Sequence, residues 1–330
     1  MGDGRAAVAG RSRWRWARTV LVALCGAGLA VSAALVVVRL AGLDDGSPLA
    51  LAVVGLPYAA AGTLLLLGVL LAVRSWWAAG LAGLLAVVQL CWLVPRFVPD
   101  GRSVAADAPR LRVATSNAYM GQVDVAALVR LVREQRVDVL AVEELGAPAA
   151  RALDRAGIAE LLPYREAPEG DTALYSRLPL TRLDASASAA ARAQVAAEVS
   201  VGGRTVRLTA VHTYYPLGDA ERWGEDFDGL RAAASGSTRN AVFLGDFNAS
   251  LDHAPMRDLL ATGLTDTHAE LGRGGSPTWP EDNADFPFLP PVIQIDHVLH
   301  GGALSAVAVE EHTVPGTDHR AVVAELAVTG

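Results

Sequence analysis

Eight polar residues of this 330-residue chain follow or interrupt apolar runs: Asn117, Glu144, His212, Asp246, Asn248, Asp296, Asp318 and His319. The sharpest case is Phe243-Leu244-Gly245-Asp246-Phe247-Asn248-Ala249. The apolar residues 241–244 read as a buried strand that stops at a glycine and delivers an aspartate and an asparagine into a loop. Two positions apart in extended chain, Asp246 and Asn248 point to one side. A carboxylate beside an amide that both donates and accepts can orient a water next to a phosphate oxygen. Taken singly, each of the eight has a plainer reading, as a turn former, a helix cap or a satisfied edge histidine. As a set they are chemically complete, and strand ends hold such a set more rigidly than loops do.

The elements that must carry them can be followed in order. Residues 111–117 alternate as a strand and end on Asn117, 123–135 have helical period, and 137–142 form an apolar strand ending on Glu143-Glu144. Residues 147–159 read as a helix with Pro148 in its first turn. Residues 195–201 and 205–211 alternate about Gly202-Gly203, which predicts a hairpin whose second strand ends at His212. A helix over 219–234 precedes the Asp246 strand and a short one follows at 255–261. Strands over 292–299 and 321–328 then bring in Asp296 and Asp318-His319. Trp223 and Trp279 are candidates to line a cleft, although packing suits Trp223 better. An Ala/Ser patch occupies 185–193. Strands interspersed with helices predict a layered α/β fold. The chain has no G-x-S-x-G elbow, Walker-type loop or H-E-x-x-H stretch, so those catalytic templates do not apply.

The first hundred residues are of another kind. The chain is 52% hydrophobic with mean hydropathy +0.31, and the excess lies in runs at 20–38, 49–73 and 76–94. As helices each would extend about 28 Å or more, enough to cross a bilayer core. Arg5, Arg11, Arg13, Arg15 and Arg18 precede the first run, Arg74 lies in the second loop, and the first loop holds Asp44 and Asp45. The positive-inside rule then predicts a cytoplasmic N-terminus and, after three crossings, an extracytoplasmic remainder. A cleaved signal peptide is the alternative for the first run, and the two runs directly behind it speak against cleavage. Trp14, Trp16, Trp76, Trp77 and Trp92 fall at span ends, where indoles favour the interface. Residues 95–109 read as a linker, and 110–330 as one catalytic domain. Residues 1–100 carry eight arginines against four acidic residues, while 101–330 carry twenty against 31, with no lysine anywhere. Cys25 and Cys91 both fall in the apolar runs, so the remainder has no disulfide.

The motifs resemble those of a known family. Thr115-Ser116-Asn117, the stretch from Asp138 to Glu144, Leu174-Tyr175-Ser176-Arg177, Val211-His212-Thr213, Gly245-Asp246-Phe247-Asn248, Ile295-Asp296-His297 and Thr317-Asp318-His319 are similar, in order, to those of the endonuclease/exonuclease/phosphatase superfamily. The resemblance implies a four-layered α/β sandwich, two packed mixed sheets flanked by helices, and Mg²⁺-dependent phosphoesterase activity, with Mn²⁺ as a substitute. It implies metal binding by Asn117 and Glu144, with Asp318 as an added acid. It also implies that Asp246 and Asn248 orient the attacking water and hold the scissile phosphate, and that His212 contacts that phosphate. His319 would lie beside it with Asp296 as its orienting carboxylate. The chemistry agrees: Mg²⁺ needs only one or two carboxylates, and Asp296 would favour a cationic His319. Where the family usually has Gln-Glu this chain has Glu143-Glu144. Spacing favours Glu144 as the ligand, whereas alternation turns the two side chains opposite ways. The apolar N-terminal arrangement resembles the membrane-anchored actinobacterial members, including the VanJ-type proteins linked to teicoplanin resistance.

Three function classes follow. An outward-facing phosphoesterase would act on a lipid or lipid-linked phosphate, or else on nucleic acid; the acidic balance and the tether to the lipid bilayer favour the lipid. A non-catalytic binding module would have no physical reason to keep the whole polar set. A transporter is disfavoured because Arg39, at a span end, is the only charge in the spans.

Overall fold

The computed structural model describes residues 3–45, 48–101, 103–167, 170–183, 194–235, 238–282 and 287–329. The Ala/Ser patch at 185–193 lies outside the described residues. The chain opens with α1 (Asp3–Ala41), α2 (Leu49–Val54), α3 (Leu56–Ala72) and α4 (Trp76–Leu93). Residues Arg13–Ala41 and Trp76–Phe97 are helical segments long and apolar enough to cross a membrane. The second expected span is not one helix. It breaks at Gly55, where Pro57 in the first turn of α3 has no N–H to continue a helix from α2. That leaves α3 with 17 residues, about 26 Å. Leu29, Leu70, Ala82 and Leu85 pack α1, α3 and α4 together. Inside the bundle the Ser32 and Thr63 hydroxyls are 2.7 Å apart, and Gln89 Nε2 donates to Ser32 at 2.8 Å. Such bonds tie helices together where apolar packing alone is weakly specific.

The rest forms two mixed six-stranded sheets. The first, in the order β11-β12-β1-β2-β4-β3, uses β1 (Arg110–Asn117), β2 (Val139–Glu143), β3 (Tyr164–Glu166), β4 (Ala173–Ser176), β11 (Leu304–Thr313) and β12 (Arg320–Val328). The second, β5-β6-β7-β8-β10-β9, uses β5 (Thr181–Arg182), β6 (Gln194–Val201), β7 (Arg204–His212), β8 (Ala241–Asp246), β9 (Leu264–Asp266) and β10 (Asp296–Gly301). Val113, Val139 and Ala141 face Leu208, Ala210, Val242 and Leu244 between the sheets. On the outer face of the first sheet lie α5 (Val125–Glu134), α6 (Ala147–Arg155) and α7 (Ile158–Leu161), burying Leu128, Val132 and Leu153. On that of the second lie α8 (Ala220–Ser235), α9 (Ala254–Leu260) and α10 (Thr267–Glu270), with Trp223, Phe227 and Met256 inward. This is the four-layered α/β sandwich. Trp223 is fully buried, edge-on to Phe227 and His253, and so is a packing residue.

Several boundaries differ from the sequence expectation. The helix expected over 147–159 is two, split at Gly157 with φ 92°. The strand expected from 292 begins at Asp296, because Ile293 bridges to Trp279 and the Ile295 and Asp296 amides donate to Thr278 Oγ1. The edge strand β11 was not anticipated. The expected linker is docked rather than loose: Gly274 N donates to Arg96 O, Asp100 N to Glu270 O, and Val328 N to Pro109 O. A Cβ at Gly274 would fall 2.3 Å from Arg96 Cβ, and one at Gly272 2.7 Å from Pro99 Cδ. Those glycines let the segment after α4 lie directly against the domain.

Candidate active site

Two parallel pairs, β1 with β2 and β7 with β8, end at one edge of the sandwich. Their last residues are Asn117, Glu143, His212 and Asp246. The antiparallel strands β10 and β12 begin at that edge, so Asp296 lies directly opposite Asp246 in the ladder, and Asp318-His319 immediately precede β12. Gly245 permits this crowding: with φ 150° and a hypothetical Cβ 1.9 Å from Val211 O, no other residue fits there. Tyr119, Met120, Glu144 and Asn248 all take positive φ around the cleft, and strained backbone of this kind gathers at functional sites.

A continuous polar chain links the eight predicted residues. Asn117 Nδ2 donates to Asp246 Oδ2 at 3.0 Å and to Glu144 Oε1 at 3.2 Å. His319 Nε2 lies 3.9 Å from Asp246 Oδ2 and 3.8 Å from Asp318 Oδ1, and its Nδ1 is 2.9 Å from Asp296 Oδ2. His212 Nε2 lies 3.6 Å from Glu144 Oε1. Asn248 N donates to Asp246 Oδ1 at 2.8 Å, and Asn248 Nδ2 to Thr213 O at 3.0 Å. Trp279 Nε1 donates to Asp318 Oδ2 at 3.1 Å, so this indole orients an acid at the cleft.

The two glutamates do not alternate. Glu143 continues the inter-sheet face of β2, fully buried, and accepts from Thr115 Oγ1 at 2.8 Å. Glu144 escapes alternation through its φ of 53°, and its Oε2 takes the Met120 amide at 2.7 Å. Both carboxylates therefore turn towards the cleft, Glu143 beneath and Glu144 at the surface. Asn117, expected as a metal ligand, donates its amide N–H groups to two carboxylates while its Oδ1 accepts from Tyr119 N, and so bridges the two acids.

The electrostatics follow from burial against charge. Burial pushes the Glu143 carboxyl up to about 8 and Asp246 up to about 6. Burial disfavours a charged His319, but Asp296 and Asp246 outweigh it and raise its pKa to about 10. At His212 burial is likewise outweighed, by Asp171, Asp246 and Glu144, and the pKa rises to about 9. Two cationic imidazoles thus lie among the carboxylates of the cleft, those around His319 buried and those beside His212 nearer the solvent.

A divalent cation fits the donor set. One potential ligand atom each of Asp246, Asp296 and His319 lies within 4.8 Å of the others, all buried; with His319 cationic both of its ring nitrogens carry protons, so the carboxylate oxygens are the donors free for a cation. Asp296 Oδ1 is buried with no hydrogen-bond partner among the described residues. Oxygen-rich donors suit a hard cation.

Asp171 was missed from the sequence. Its carboxylate lies 3.2 Å from His212 Nδ1, repeating the Asp296–His319 arrangement on the other side of the cleft. It sits between a glycine and a short strand, with no spacing signal. Arg177 and Asp138 of the matching motifs lie at the far edge, joined by a 2.8 Å bond from Nε that staples β4 to β2.

The endonuclease/exonuclease/phosphatase family model matches residues 114–319, more than half of the chain and all eight site residues. The chain belongs to this family. Family members are phosphoester-cleaving hydrolases, and the two mixed sheets with outer helices are their fold. Among solved structures, TDP2 of Caenorhabditis elegans is 18% identical with a TM-score of 0.51, covering 66% of this chain and 98% of its own. TDP2 of D. rerio, complexed with a single-strand DNA product, is 17% identical with TM-score 0.51 and coverages of 66% and 98%. A family member from Beutenbergia cavernae is 19% identical with TM-score 0.50, covering 67% and 72%. These likenesses concern the fold. Among curated proteins none matches.

Proposed function

We propose that the protein is a membrane-tethered, extracytoplasmic, Mg²⁺-dependent phosphoesterase. Its substrate is a phosphate or diphosphate ester of a membrane lipid or lipid-linked cell-wall precursor, with glycopeptide resistance of the VanJ type as the phenotype. The observation that carries this reading is how the catalytic loop joins the helical bundle. Five residues beyond Asn248, His253 Nε2 lies 3.0 Å from Ala50 O, and Asp252 pairs with Arg39 and Arg96 at 3.0 and 2.7 Å. Four residues before Asp296, Val292 O accepts from Tyr58 on α3 at 2.7 Å. Arg18, in the N-terminal half of α1, bonds Val73 O and Arg74 O. In this reading α1, α3 and α4 span the bilayer with the arginine-rich end in the cytoplasm and the catalytic domain, residues 110–330, outside. A site held so close to the bundle meets membrane-borne esters at high effective concentration and gains little for free polymers.

In this mechanism Glu144 and Asp318 would hold Mg²⁺, which when bound would supply Lewis-acid stabilisation of charge on the phosphate. Asp246, with its pKa near 6, orients the attacking water and can accept its proton. Asn248 fixes Asp246 through its backbone amide. His319, kept cationic by Asp296, and His212, kept cationic by Asp171, donate to phosphate oxygens as charge develops. Asn117 holds Glu144 and Asp246 at a fixed separation.

The test uses full-length protein in lipid vesicles, offered polyprenyl diphosphate, phospholipid and plasmid DNA in parallel. The expected result is Mg²⁺-dependent release of phosphate or headgroup that chelation abolishes. Rapid plasmid nicking with no lipid product would overturn the substrate and favour a nuclease.

A further inference from the structure

An open cavity of about 370 Å³ lies where the helical bundle meets the catalytic domain, bordered by Arg39, Arg96 and Arg257 and by Leu260, Leu264 and Ala269. Arg39 is in the last turn of α1, and Arg96 is in the 3₁₀ turn that follows α4. The cavity therefore sits at the level where two long apolar helices end. It lies by α9 and β9, on the outer side of the second sheet, apart from the strand ends that carry Asp246.

Its charge is unbalanced. The Arg39 and Arg96 guanidiniums share the carboxylate of Asp252. Among the described residues Arg257, half-buried, bonds only backbone carbonyls, those of Asp252 and Arg39. Among the described residues no carboxylate lies within ion-pair distance of it. Asp266, the acid that lines the cavity, is committed to His297 Nδ1 at 2.9 Å and the Ala269 amide at 2.9 Å. A half-buried cation without a counter-charge is costly, and a bound anion removes that cost.

We propose that this cavity binds the phosphate of an anionic ligand. Guanidiniums match phosphate oxygens in geometry, and the leucine wall accommodates an apolar tail. Two sources share this chemistry: the headgroup of an anionic lipid and free phosphate. The position at the bundle's end makes the lipid the source that meets the cavity, a step that rests on the membrane reading above.

The full chain is purified in detergent and placed in nanodiscs of phosphatidylcholine alone, of phosphatidylcholine with phosphatidylglycerol, or of phosphatidylcholine with inorganic phosphate in the buffer. Retained lipid is measured by mass spectrometry and unfolding by thermal melting. Phosphatidylglycerol is expected to be retained about tenfold over phosphatidylcholine, the preference that one or two interfacial arginines give, and to raise the melting temperature. Arg257→Gln breaks no ion pair and should abolish that preference, while Arg257→Lys should keep much of it. If Arg257→Gln fails to fold, the wild-type retention ratio still decides. An equal rise from inorganic phosphate alone would assign the cavity to free phosphate. Equal retention of both lipids with no response to phosphate would overturn the proposal. A chain that purifies without detergent would overturn the membrane reading instead, leaving the phosphate arm to test the cavity.

Discussion

Removing the Asp252 carboxylate should loosen the catalytic loop from the helical bundle. Asp252 is buried and accepts from Arg39 Nε at 3.0 Å and from Arg96 Nη1 and Nη2 at 2.9 and 2.7 Å. The two arginine side chains are only 11% and 13% exposed, so Asp252→Ala strands two guanidiniums away from both water and counter-charge. Breaking a buried pair from one side costs about 3–5 kcal/mol. For a domain of this size about 1 kcal/mol corresponds to 2–4 °C, so the melting temperature should fall by about 6–20 °C. Thermal melts in detergent, followed by tryptophan fluorescence, read this directly. Replacing all three residues by apolar ones of similar size should recover most of the loss, because the desolvation penalty then disappears with the charges. The pH dependence has a definite sign. Burial acts to raise the Asp252 pKa, but Arg96 and Arg39 outweigh it and hold the carboxyl below the usual range. The stabilisation is therefore fully present above the unfolded value of about 4 and is lost as pH falls through the folded one. Because Asp252 lies six residues beyond Asp246, kcat should fall as well. A melting temperature within about 2 °C of wild type, with unchanged kcat, would refute this account of the junction.

Glu144→Ala should lower kcat by about two to four orders of magnitude with the fold intact, whereas Glu143→Gln, which keeps the bond from Thr115, should stay near wild type; the reverse ranking would move the ligand one residue back. Asp296→Asn should approach His319→Ala in turnover and shift the alkaline limb of the kcat–pH profile to lower pH. His319 would then lose its proton earlier, and an unmoved limb would show that the pair does not act as a unit. A reporter active only outside the cytoplasm, fused after Gly330, should be active; activity of a cytoplasm-only reporter there would reverse the orientation.

Much of this protein was legible in one dimension. Strand alternation and apolar runs located β1, β2, β6, β7, β8 and β12, because each buries one or both faces and writes that burial into its period. The polar residues that end those strands were conspicuous because they interrupt apolar stretches. What tertiary structure alone decided depends on contacts between distant segments. Edge strand β11 carries Glu310, Glu311 and His312 in its second half, so it lacks a clean apolar signal. Asp171 becomes an orienting carboxylate only because its loop passes His212, 41 residues away in sequence. The turn of Glu144 into the cleft depends on a positive φ that no spacing rule encodes. The segment after α4 reads as a flexible linker by composition, yet Gly272, Gly274 and Gly275, far along the chain, make room for it. Local periodicity reports which face of an element is buried, whereas the identity of its partner is set only when the chain closes on itself.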